Sequence, residues 1–367
     1  MNINWVGPIN GLGYGVASTN FVNSLTKLGN QVALFPINTN MEAHEDLHEM
    51  LRQCVKNAEM PDFQSPSVRM WHQNNMSQFV GSRRVGFPIF ELNSFNEQEF
   101  HHLRNLDTIF VCSEWAKQII EKEVIDKGTH AYQDCRDVHV VPLGVDLSIF
   151  YPKRGLIHPE KTIFFNAGKW EIRKGHDVLL ECFNKAFTEK DNVELWLLTN
   201  NPFNTPEEDL RWFDLCKKHC LNGKIRLLPR LATQQDVCYT MNQADCGVFL
   251  ARAEGWNLEA LEMLACGKDL IITNYSGHTE FCTKENSKLI NGNRLESAVD
   301  GKWFFGQGEW LKFDDDCKEQ TIEAMRAFHK LKQEDGPTVN QEGLKTADKF
   351  TWEKAAQKMV KILEEGI

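Results

Sequence analysis

Two glutamates with a fixed spacing, Glu254 and Glu262, carry the clearest chemistry in the sequence. The apolar run at 245–250 predicts a buried strand before them, and apolar residues at helical spacing after Asn257 predict a helix. Asn257 can cap this helix and Gly267 can end it. Free N–H groups at a helix start, beside two carboxylates, suit a ligand with both phosphate and hydroxyl groups, such as a nucleotide sugar.

Basic residues fill a glycine turn earlier in the chain. Residues 162–166 predict a strand, and the turn that follows it carries Lys169, Arg173 and Lys174 before Gly175 and an apolar helical pattern. Cations around a glycine turn at the mouth of a sheet are suited to a diphosphate. The alternative is that these lysines are merely solvated, as lysines near turns often are.

A glycine-rich turn also follows the first predicted strand. Residues 2–6 predict a short strand, glycines recur from Gly7 to Gly15, and a helical pattern follows. Strand, glycine turn and helix form a phosphate-binding arrangement, because the glycine backbone lets an anion approach the free N–H groups of the helix start. Gly13, Tyr14 and Gly15 are therefore candidate ligand-binding residues. A tight turn without a ligand stays the alternative, since the alternating glycines do not match the dinucleotide fingerprint.

The spacing of Glu254 and Glu262 resembles the acidic pair of the retaining glycosyltransferases of family four. The resemblance implies a GT-B fold, in which two Rossmann-like, doubly wound α/β domains face each other across a cleft. It also implies that Glu254 contacts donor-sugar hydroxyls and that Glu262 holds the nucleotide ribose. The family usually has Gly where Asn257 stands and Pro where Glu259 stands, so we expect an altered donor-sugar pocket. Two glutamates on a solvated helix face would be the simpler alternative.

The resemblance extends to the basic turn and to the nucleotide base. The family usually has Arg where Lys169 stands and Lys where Lys174 stands, so the first position keeps its charge but loses the bidentate fork. We expect both lysines to stabilise charge on the departing diphosphate. Arg230 and Leu231 fall where the family's loop cradles the base. The remaining donor-binding candidates lie in the two turns of the C-terminal half: Arg173, Gly255, Trp256, Asn257 and Leu258.

The N-terminal half contributes two further candidates. His72 follows a predicted strand at 68–71, where open parallel sheets place their ligand crevice, and the resemblance implies a position beside the donor sugar. Glu91 ends an aromatic-rich strand from residue 85, which resembles a subset of the family in which such a strand precedes the Ser-Glu-Trp turn at 113–115. Glu91 is therefore an acceptor-side candidate. A structural histidine and a buried, paired carboxylate are the alternatives.

The length of 367 residues and the alternation of strand and helix patterns predict two α/β domains. We expect an N-terminal acceptor domain at 1–150 and a nucleotide-sugar donor domain at 151–345. The connection at 142–152 resembles the interdomain segment of the family. A helical pattern closes the chain, and the resemblance implies that residues 346–367 return to the first domain.

Composition narrows the class of protein. The chain is 42% hydrophobic and 25% charged, with a net charge of −10, which argues against a protein that coats nucleic acid or an anionic membrane. No stretch has the roughly 18 apolar residues of a membrane helix, and the N-terminus lacks a signal pattern. We expect a cytoplasmic protein and leave peripheral attachment to a membrane open.

No metal or other cofactor is expected. The eleven cysteines are an odd number scattered through the chain, which favours reduced core residues. Cys216 and Cys220 lack a second ligand pair at zinc-binding spacing. The acidic run at 314–316 precedes a helical pattern at 319–331, so we expect it to support a helix N-terminus.

Together with the basic turn, the resemblance implies a retaining, metal-independent glycosyltransferase that moves a sugar from a nucleotide-diphosphate sugar to a hydroxyl. A saccharide or a lipid-linked glycan is the expected acceptor. A modified DNA base is an alternative acceptor, with basic pairs at 83–84 and 153–154 to contact phosphates. A non-catalytic nucleotide-sugar or phosphate-binding protein, or an enzyme resembling a sugar phosphorylase, is the alternative class. The sequence indicates no oligomeric state.

Overall fold

A computed structural model describes residues 1–38, 40–125, 137–221 and 223–366. The chain divides into two compact units. The first consists of Met1–Gly144 with Phe350–Ile367, and the second is Val145–Lys349. The sequence predicts domain boundaries after residues 150 and 345, within a few residues of those in the structure. The first unit is therefore discontinuous in sequence, because the last helix belongs to it.

The first unit is built on a parallel sheet. Its described strands are β1 (Asn2–Gly7), β2 (Gln31–Pro36), β3 (Pro66–Arg69), β4 (Arg83–Gly86), β5 (Thr108–Val111) and β6 (Asp137–Val140). They pair in the order β2-β1-β3-β4-β5-β6. β1, β3 and β5 are almost entirely buried, as expected of strands covered on both faces. The chain leaves β1 toward β2 on one side, while β3 lies on the other, so the strand order reverses between β1 and β3.

Helices cover this sheet. They are α1 (Gly13–Lys27), α2 (His48–Asn57), α3 (Glu97–Arg104), α4 (Glu114–Ile120) and, from the end of the chain, α11 (Trp352–Glu365). The side chain of Thr351 caps α11 by accepting the backbone N–H of Lys354. α11 packs on α1, where the rings of Phe21 and Trp352 lie 5.6 Å apart. The predicted return of the last helix to the first domain is confirmed. α2 has no counterpart in the sequence analysis.

A second parallel sheet forms the other unit. Its described strands are β7 (Thr162–Gly168), β8 (Val193–Thr199), β9 (Ile225–Leu227), β10 (Cys246–Phe249), β11 (Asp269–Thr273) and β12 (Lys288–Ile290). They pair in the order β12-β11-β10-β7-β8-β9. β7 and β10 are therefore neighbours from which the chain departs in opposite directions. Both units have the doubly wound α/β architecture that the sequence predicted.

The helices of the second unit are α5 (His176–Ala186), α6 (Pro206–Lys218), α7 (Gln234–Gln243), α8 (Leu258–Ala265), α9 (Asp315–Asp335) and α10 (Gln341–Lys349). α9 starts earlier than the predicted 319, and Asp314 caps it by accepting the backbone N–H of Cys317 at 3.1 Å. The acidic run thus supports a helix start, as predicted. None of the helices in the described part of the chain has the length and apolar character needed to cross a bilayer.

An antiparallel hairpin is the main element that the sequence did not predict. It consists of β13 (Leu295–Val299) and β14 (Phe305–Leu311). At its base, the N–H of Leu311 donates to the carbonyl of Arg252 at 2.9 Å. At its tip, the ammonium of Lys302 donates to the carbonyl of Phe203 and to the carboxylate of Glu208. The hairpin is therefore tied at one end beyond β10 and at the other beyond β8.

Candidate active site

The two turns singled out in the C-terminal half lie side by side. Lys169 follows β7 and Glu254 lies shortly after β10, and these strands pair directly, with Cys246 opposite Phe164. The crevice at the C-terminal ends of parallel strands, where the strand order reverses, is where doubly wound sheets bind ligands. The fold therefore brings the predicted cations and the first predicted carboxylate to one ligand-binding position.

Glycines shape the turn between β7 and α5. Gly168 has φ 135° and Gly175 has φ 72°, both in the region that favours glycine. A Cβ on Gly175 would lie 1.9 Å from the carbonyl oxygen of Leu250 at the end of β10. The turn can therefore approach the neighbouring strand only because residue 175 has no side chain.

Arg173 connects the two turns through hydrogen bonds from its buried guanidinium. Its guanidinium donates to the Ala253 carbonyl and the Glu254 carboxylate, both at 2.9 Å, and to the Glu171 carboxylate at 2.8 Å. Only 5% of its side chain is exposed. The predicted contact between Arg173 and a donor is therefore not supported, since its donors are directed at protein oxygens. Arg173 is a positioning residue for Glu254.

Lys174 lies between two carboxylates. Its Nζ is 2.7 Å from Oε1 of Glu254 and 3.7 Å from Oε1 of Glu259. Burial alone would lower the pKa of Lys174, but the charges of these two glutamates outweigh it and raise that pKa. The side chain of Lys174 is 12% exposed, and its ammonium lies beside Gly168 at the end of β7. A fixed positive charge thus stands at the centre of the switch point.

Lys169 is the more accessible cation. Its Nζ lies 2.9 Å from Oε1 of Glu171 and 5.7 Å from the ring centroid of Phe203, and its side chain is 38% exposed. Burial favours a higher pKa for Glu171, but the charges of Arg173 and Lys169 outweigh it and lower that pKa. The turn therefore holds its cations in place with its own carboxylate.

Glu254 is held by backbone as well as by charge. Its N–H donates to the hydroxyl of Ser276 and its carbonyl accepts the N–H of Gly277, both at 2.8 Å. Burial raises the pKa of the Glu254 carboxyl, but Lys174 and Arg173 overcome this and lower it to about 2. Ser276 adopts φ 69° and ψ −152°, a conformation that is strained for a residue with a side chain. The Glu254 carboxylate is ionised and fixed.

Asn257 explains one departure from the family pattern. It adopts φ 82° and ψ 74°, a left-handed conformation that glycine enters freely and asparagine enters more readily than most residues. Its side chain caps α8 by accepting the N–H of Ala260 at 3.1 Å, as predicted. Trp256 is buried with its ring 4.9 Å from that of Phe281, so it anchors the turn. Gly255 is also buried, and its carbonyl packs closely against Gly277.

Glu262 lies one turn into α8, four residues after the start of the helix. Within the described residues, no hydrogen bond or ion pair to its carboxylate is present. Burial, followed by the charge of Glu259, raises the pKa of Glu262 well above its usual range. An uncompensated carboxylate one helical turn from the helix start is suited to accept hydroxyl groups from a ligand. Leu258 begins the same helix and is partly exposed.

Arg230 and Leu231 follow β9 on the far side of the sheet, the first exposed and the second half-buried. The assignment of these two residues to the base-binding loop stays a prediction.

The first unit has its own switch point, between β1 and β3. Gly13, Tyr14 and Gly15 form the first turn of α1, whose N-cap makes no side-chain hydrogen bond. His72, exposed beyond β3, has its ring 4.8 Å from that of Tyr14. A Cβ on Gly15 would lie 2.2 Å from the side-chain oxygen of Asn10, which requires glycine there. The predicted turn and histidine are thus neighbours within this unit.

Two candidates of the first unit are already engaged by the fold. The Tyr14 hydroxyl donates to the Ile89 carbonyl at 2.7 Å and accepts the N–H of the same residue at 2.9 Å. It cross-links the ends of neighbouring strands, so its predicted role in donor binding is limited to its ring. Burial raises the pKa of Tyr14, and the nearby half-buried Glu91 adds to that shift. Glu91 stays an acceptor-side prediction.

Sequence reasoning did not assign a role to Glu171 or Ser276, which position the predicted residues. The signal for Glu171 was its place between two cations of the same turn. Nothing in the sequence around Ser276 indicated a positive φ. Among the residues that the structure describes, no three His, Cys, Asp or Glu side chains are placed to hold a metal ion. Metal independence stays a prediction.

Comparisons with known proteins agree with the geometry. Residues 149–300 match the family model described as glycosyl transferases group 1. A segment of 164 residues is 27% identical to the GDP-mannose:cellobiosyl-diphosphopolyprenol alpha-mannosyltransferase of Xanthomonas campestris, covering 44% of this chain and 42% of that protein. A segment of 258 residues is 24% identical to a probable sucrose-phosphate synthase of Thermosipho melanesiensis, covering 68% of this chain and 51% of the relative. The matches thus span about half the length of these curated relatives.

Solved structures show the same fold over almost the whole chain. Sucrose-phosphate synthase from Thermosynechococcus elongatus superposes with a TM-score of 0.71 at 15% identity, covering 99% of this chain and 98% of that one. HepE of Anabaena in complex with UDP gives 0.68 at 13% identity, with 100% of both chains covered. The glycosyltransferase WaaG gives 0.65 at 13% identity, with 99% of both covered. The chain thus has the GT-B fold of these structures, and its residues 149–300 match the glycosyl transferases group 1.

Proposed function

We propose that this protein is a retaining glycosyltransferase that moves a sugar from a nucleoside-diphosphate sugar to a hydroxyl acceptor without a divalent metal. The observation that carries this proposal is the position of Lys174, whose ammonium stands between Glu254 and Glu259 at the switch point of the second sheet. A fixed, partly exposed cation at that position matches the site of negative charge in a departing diphosphate.

Each part of the donor has a matching group. The diphosphate takes Lys169 and Lys174, the two cations of the turn with exposed surface. The ribose hydroxyls donate to the unpartnered carboxylate of Glu262. The transferred sugar donates its hydroxyls to Glu254, which Arg173 keeps ionised and oriented. Without a ligand, the partners of the Glu254 carboxylate are the cations Arg173 and Lys174. Glu254 therefore stays ionised while it accepts hydrogen bonds from the sugar hydroxyls.

The reaction exchanges one bond at the anomeric carbon for another. The bond from that carbon to the diphosphate oxygen breaks, and the acceptor oxygen forms its bond on the same face. The leaving phosphate oxygen takes the proton of the acceptor hydroxyl. Lys169 and Lys174 stabilise the charge that develops on the phosphate, which replaces the role of a divalent cation. Glu254 is a poor nucleophile because two cations bind it, which favours this same-face route over a covalent enzyme intermediate.

The acceptor that we propose is a saccharide hydroxyl, free or on a lipid-linked glycan. Support comes from the Xanthomonas campestris relative, whose name gives cellobiosyl-diphosphopolyprenol as its acceptor. A lipid-linked acceptor would bring the protein to a membrane surface from the cytoplasm.

A binding screen followed by a transfer assay tests the proposal. Thermal shift with UDP, GDP, ADP and their common sugar derivatives identifies the donor, because a ligand that binds only the native state raises the melting temperature. Transfer and hydrolysis of the radiolabelled donor are then measured for the wild type, Glu262→Ala and the control Glu323→Ala, an exposed residue of α9. We expect turnover that Glu262→Ala impairs and the control does not. Binding without any transfer or hydrolysis would indicate a non-catalytic protein and reject the proposal.

A further inference from the structure

Glu259 is a carboxylate that the proposed chemistry leaves unexplained. It is the second residue of α8, its side chain is 28% exposed, and its Oε1 lies 3.7 Å from Nζ of Lys174. A Cβ placed on Gly168 would be 3.5 Å from the same oxygen, so this carboxylate faces the end of β7. The resembling family usually has proline at this position, so the charge of Glu259 departs from that pattern.

The two carboxylates beside Lys174 are held very differently. Glu254 is bound by Arg173 and by the segment at 276–277 as well as by Lys174. For Glu259, Lys174 is the one ion-pair partner within the described residues. When a diphosphate takes the ammonium of Lys174, Glu254 keeps a cation. Glu259 loses its partner and is left as an exposed negative charge beside a negative ligand.

We propose that Glu259 is a specificity-determining residue that favours the nucleotide sugar over the nucleoside diphosphate. The inference rests on the proposed function, in which Lys174 binds the diphosphate. A nucleoside diphosphate has a terminal phosphate with an additional ionisable oxygen, whose pKa is about 6, and sugar attachment blocks that oxygen. Repulsion by a fixed carboxylate grows with ligand charge, so it weakens the product more than the donor. Glu259 thereby promotes release of the product.

A structural role for Glu259 makes a different prediction. An acidic residue in the first turn of a helix is stabilised by the helix dipole. If Glu259 acted only in this way, its replacement would lower the melting temperature and change the affinities of both ligands by the same factor. The ratio of the two affinities therefore separates the specificity role from the structural one.

Calorimetric titration with UDP, UDP-glucose, GDP and GDP-mannose measures that ratio. The variants are Glu259→Gln, which removes the charge, Glu259→Asp, which keeps it, and the control Glu323→Gln on α9. We expect Glu259→Gln to bind the nucleoside diphosphate about tenfold more tightly and the sugar derivative at most about threefold more tightly. Glu259→Asp and the control should keep the ratio of the wild type. Product inhibition of turnover should strengthen in Glu259→Gln by the same factor as the diphosphate affinity.

The outcomes distinguish this inference from the proposed function. Equal changes for both ligands, or no change, in Glu259→Gln would overturn the specificity role. If Lys174→Ala nevertheless loses both ligands, the proposed function stands without it. If the wild type binds neither UDP with UDP-glucose nor GDP with GDP-mannose, both proposals are wrong. The same holds if Lys174→Ala binds these ligands as tightly as the wild type does.

Discussion

The ammonium of Lys174 lies 2.7 Å from the Glu254 carboxylate, whose other oxygen Arg173 holds at 2.9 Å. One carboxylate thus links two cations, and only the cation nearer the surface has room to meet a ligand. Stability and chemistry are coupled in this arrangement, because a change to Lys174 alters both the proposed diphosphate site and a buried charge balance.

Lys174→Ala should lower the transfer rate about a hundredfold or more, because the developing phosphate charge loses its nearest cation. It should also lower the free energy of unfolding by about 3 kcal/mol, since it removes one partner of a buried ion pair. Lys185→Ala is the matched control, because Lys185 pairs with Glu181 on an exposed helix face. Urea unfolding measures the stability of both variants. Equal losses of unfolding free energy in Lys174→Ala and Lys185→Ala would contradict the coupling.

The two glutamates should affect different parts of the donor. Glu262→Ala should weaken both the nucleoside diphosphate and the nucleotide sugar, because each carries the ribose. Glu254→Ala should weaken the nucleotide sugar and spare the free diphosphate. Calorimetric titration of both variants with both ligands measures this, and similar losses in all four combinations would rule out the assignment.

Replacing Glu262 by glutamine should stabilise the ligand-free protein. The folded state raises the pKa of this carboxyl, so folding favours its protonated form. In the unfolded chain the pKa of a glutamate is about 4.3. As the pH rises above that value, the ionisation of Glu262 lowers the free energy of unfolding by an increasing amount. We expect the melting temperature of Glu262→Gln to exceed that of the wild type by about 2–4 °C near pH 8, and the difference to shrink toward pH 5. A difference that widens in acid would contradict this sign.

Transfer should survive an excess of chelator. In the proposed site, Lys169 and Lys174 take the place of a metal beside the phosphates, and the acidic run at 314–316 serves the start of α9. Changing all three aspartates to asparagine, which also caps helices, should alter the rate by less than about tenfold, or 1.4 kcal/mol in the barrier. Loss of activity with chelator and its recovery with magnesium or manganese would show that the lysines do not replace a metal.

Gly175→Ala should destabilise the second unit far more than Gly155→Ala. Both glycines have a left-handed backbone, with φ 72° and 77°, so both variants carry the same conformational cost of about 1 kcal/mol. A methyl group on Gly155 meets open space, whereas one on Gly175 meets the carbonyl of Leu250 at 1.9 Å. We expect a loss of more than about 3 kcal/mol for Gly175→Ala by chemical denaturation. Similar losses would mean that the close approach to β10 relaxes freely.

Local signals account for the parts of the fold that the sequence predicted. The strand-turn-helix pattern around Glu254 follows from apolar spacing and from the capping chemistry of Asn257, both of which act within a few residues. The same holds for Thr351 at the start of α11. The sequence spacing of Glu254 and Glu262 corresponds to a defined position in the structure, because β10 and α8 fix the turn between them.

Tertiary contacts explain what the sequence did not reveal. Arg173 looks like a ligand-binding cation in the sequence, and only the approach of residues 253 and 254 shows that protein oxygens surround it. Ser276 has a positive φ, and its hydroxyl accepts the N–H of Glu254, 22 residues earlier in the chain. The hairpin from Leu295 to Leu311 lacks a regular alternation of apolar and polar residues, and the bulge between Ser297 and Val299 interrupts its register.

The discontinuity of the first unit has a consequence for biosynthesis. The ribosome synthesises all of residues 145–349 before it synthesises α11, the helix that packs against α1. The domain that is translated first is thus completed last. Until then, the surface of α1 around Phe21 lacks the ring of Trp352 and stays open to water or to a chaperone. In a chain truncated after residue 349, the second unit should therefore resist protease better than the first.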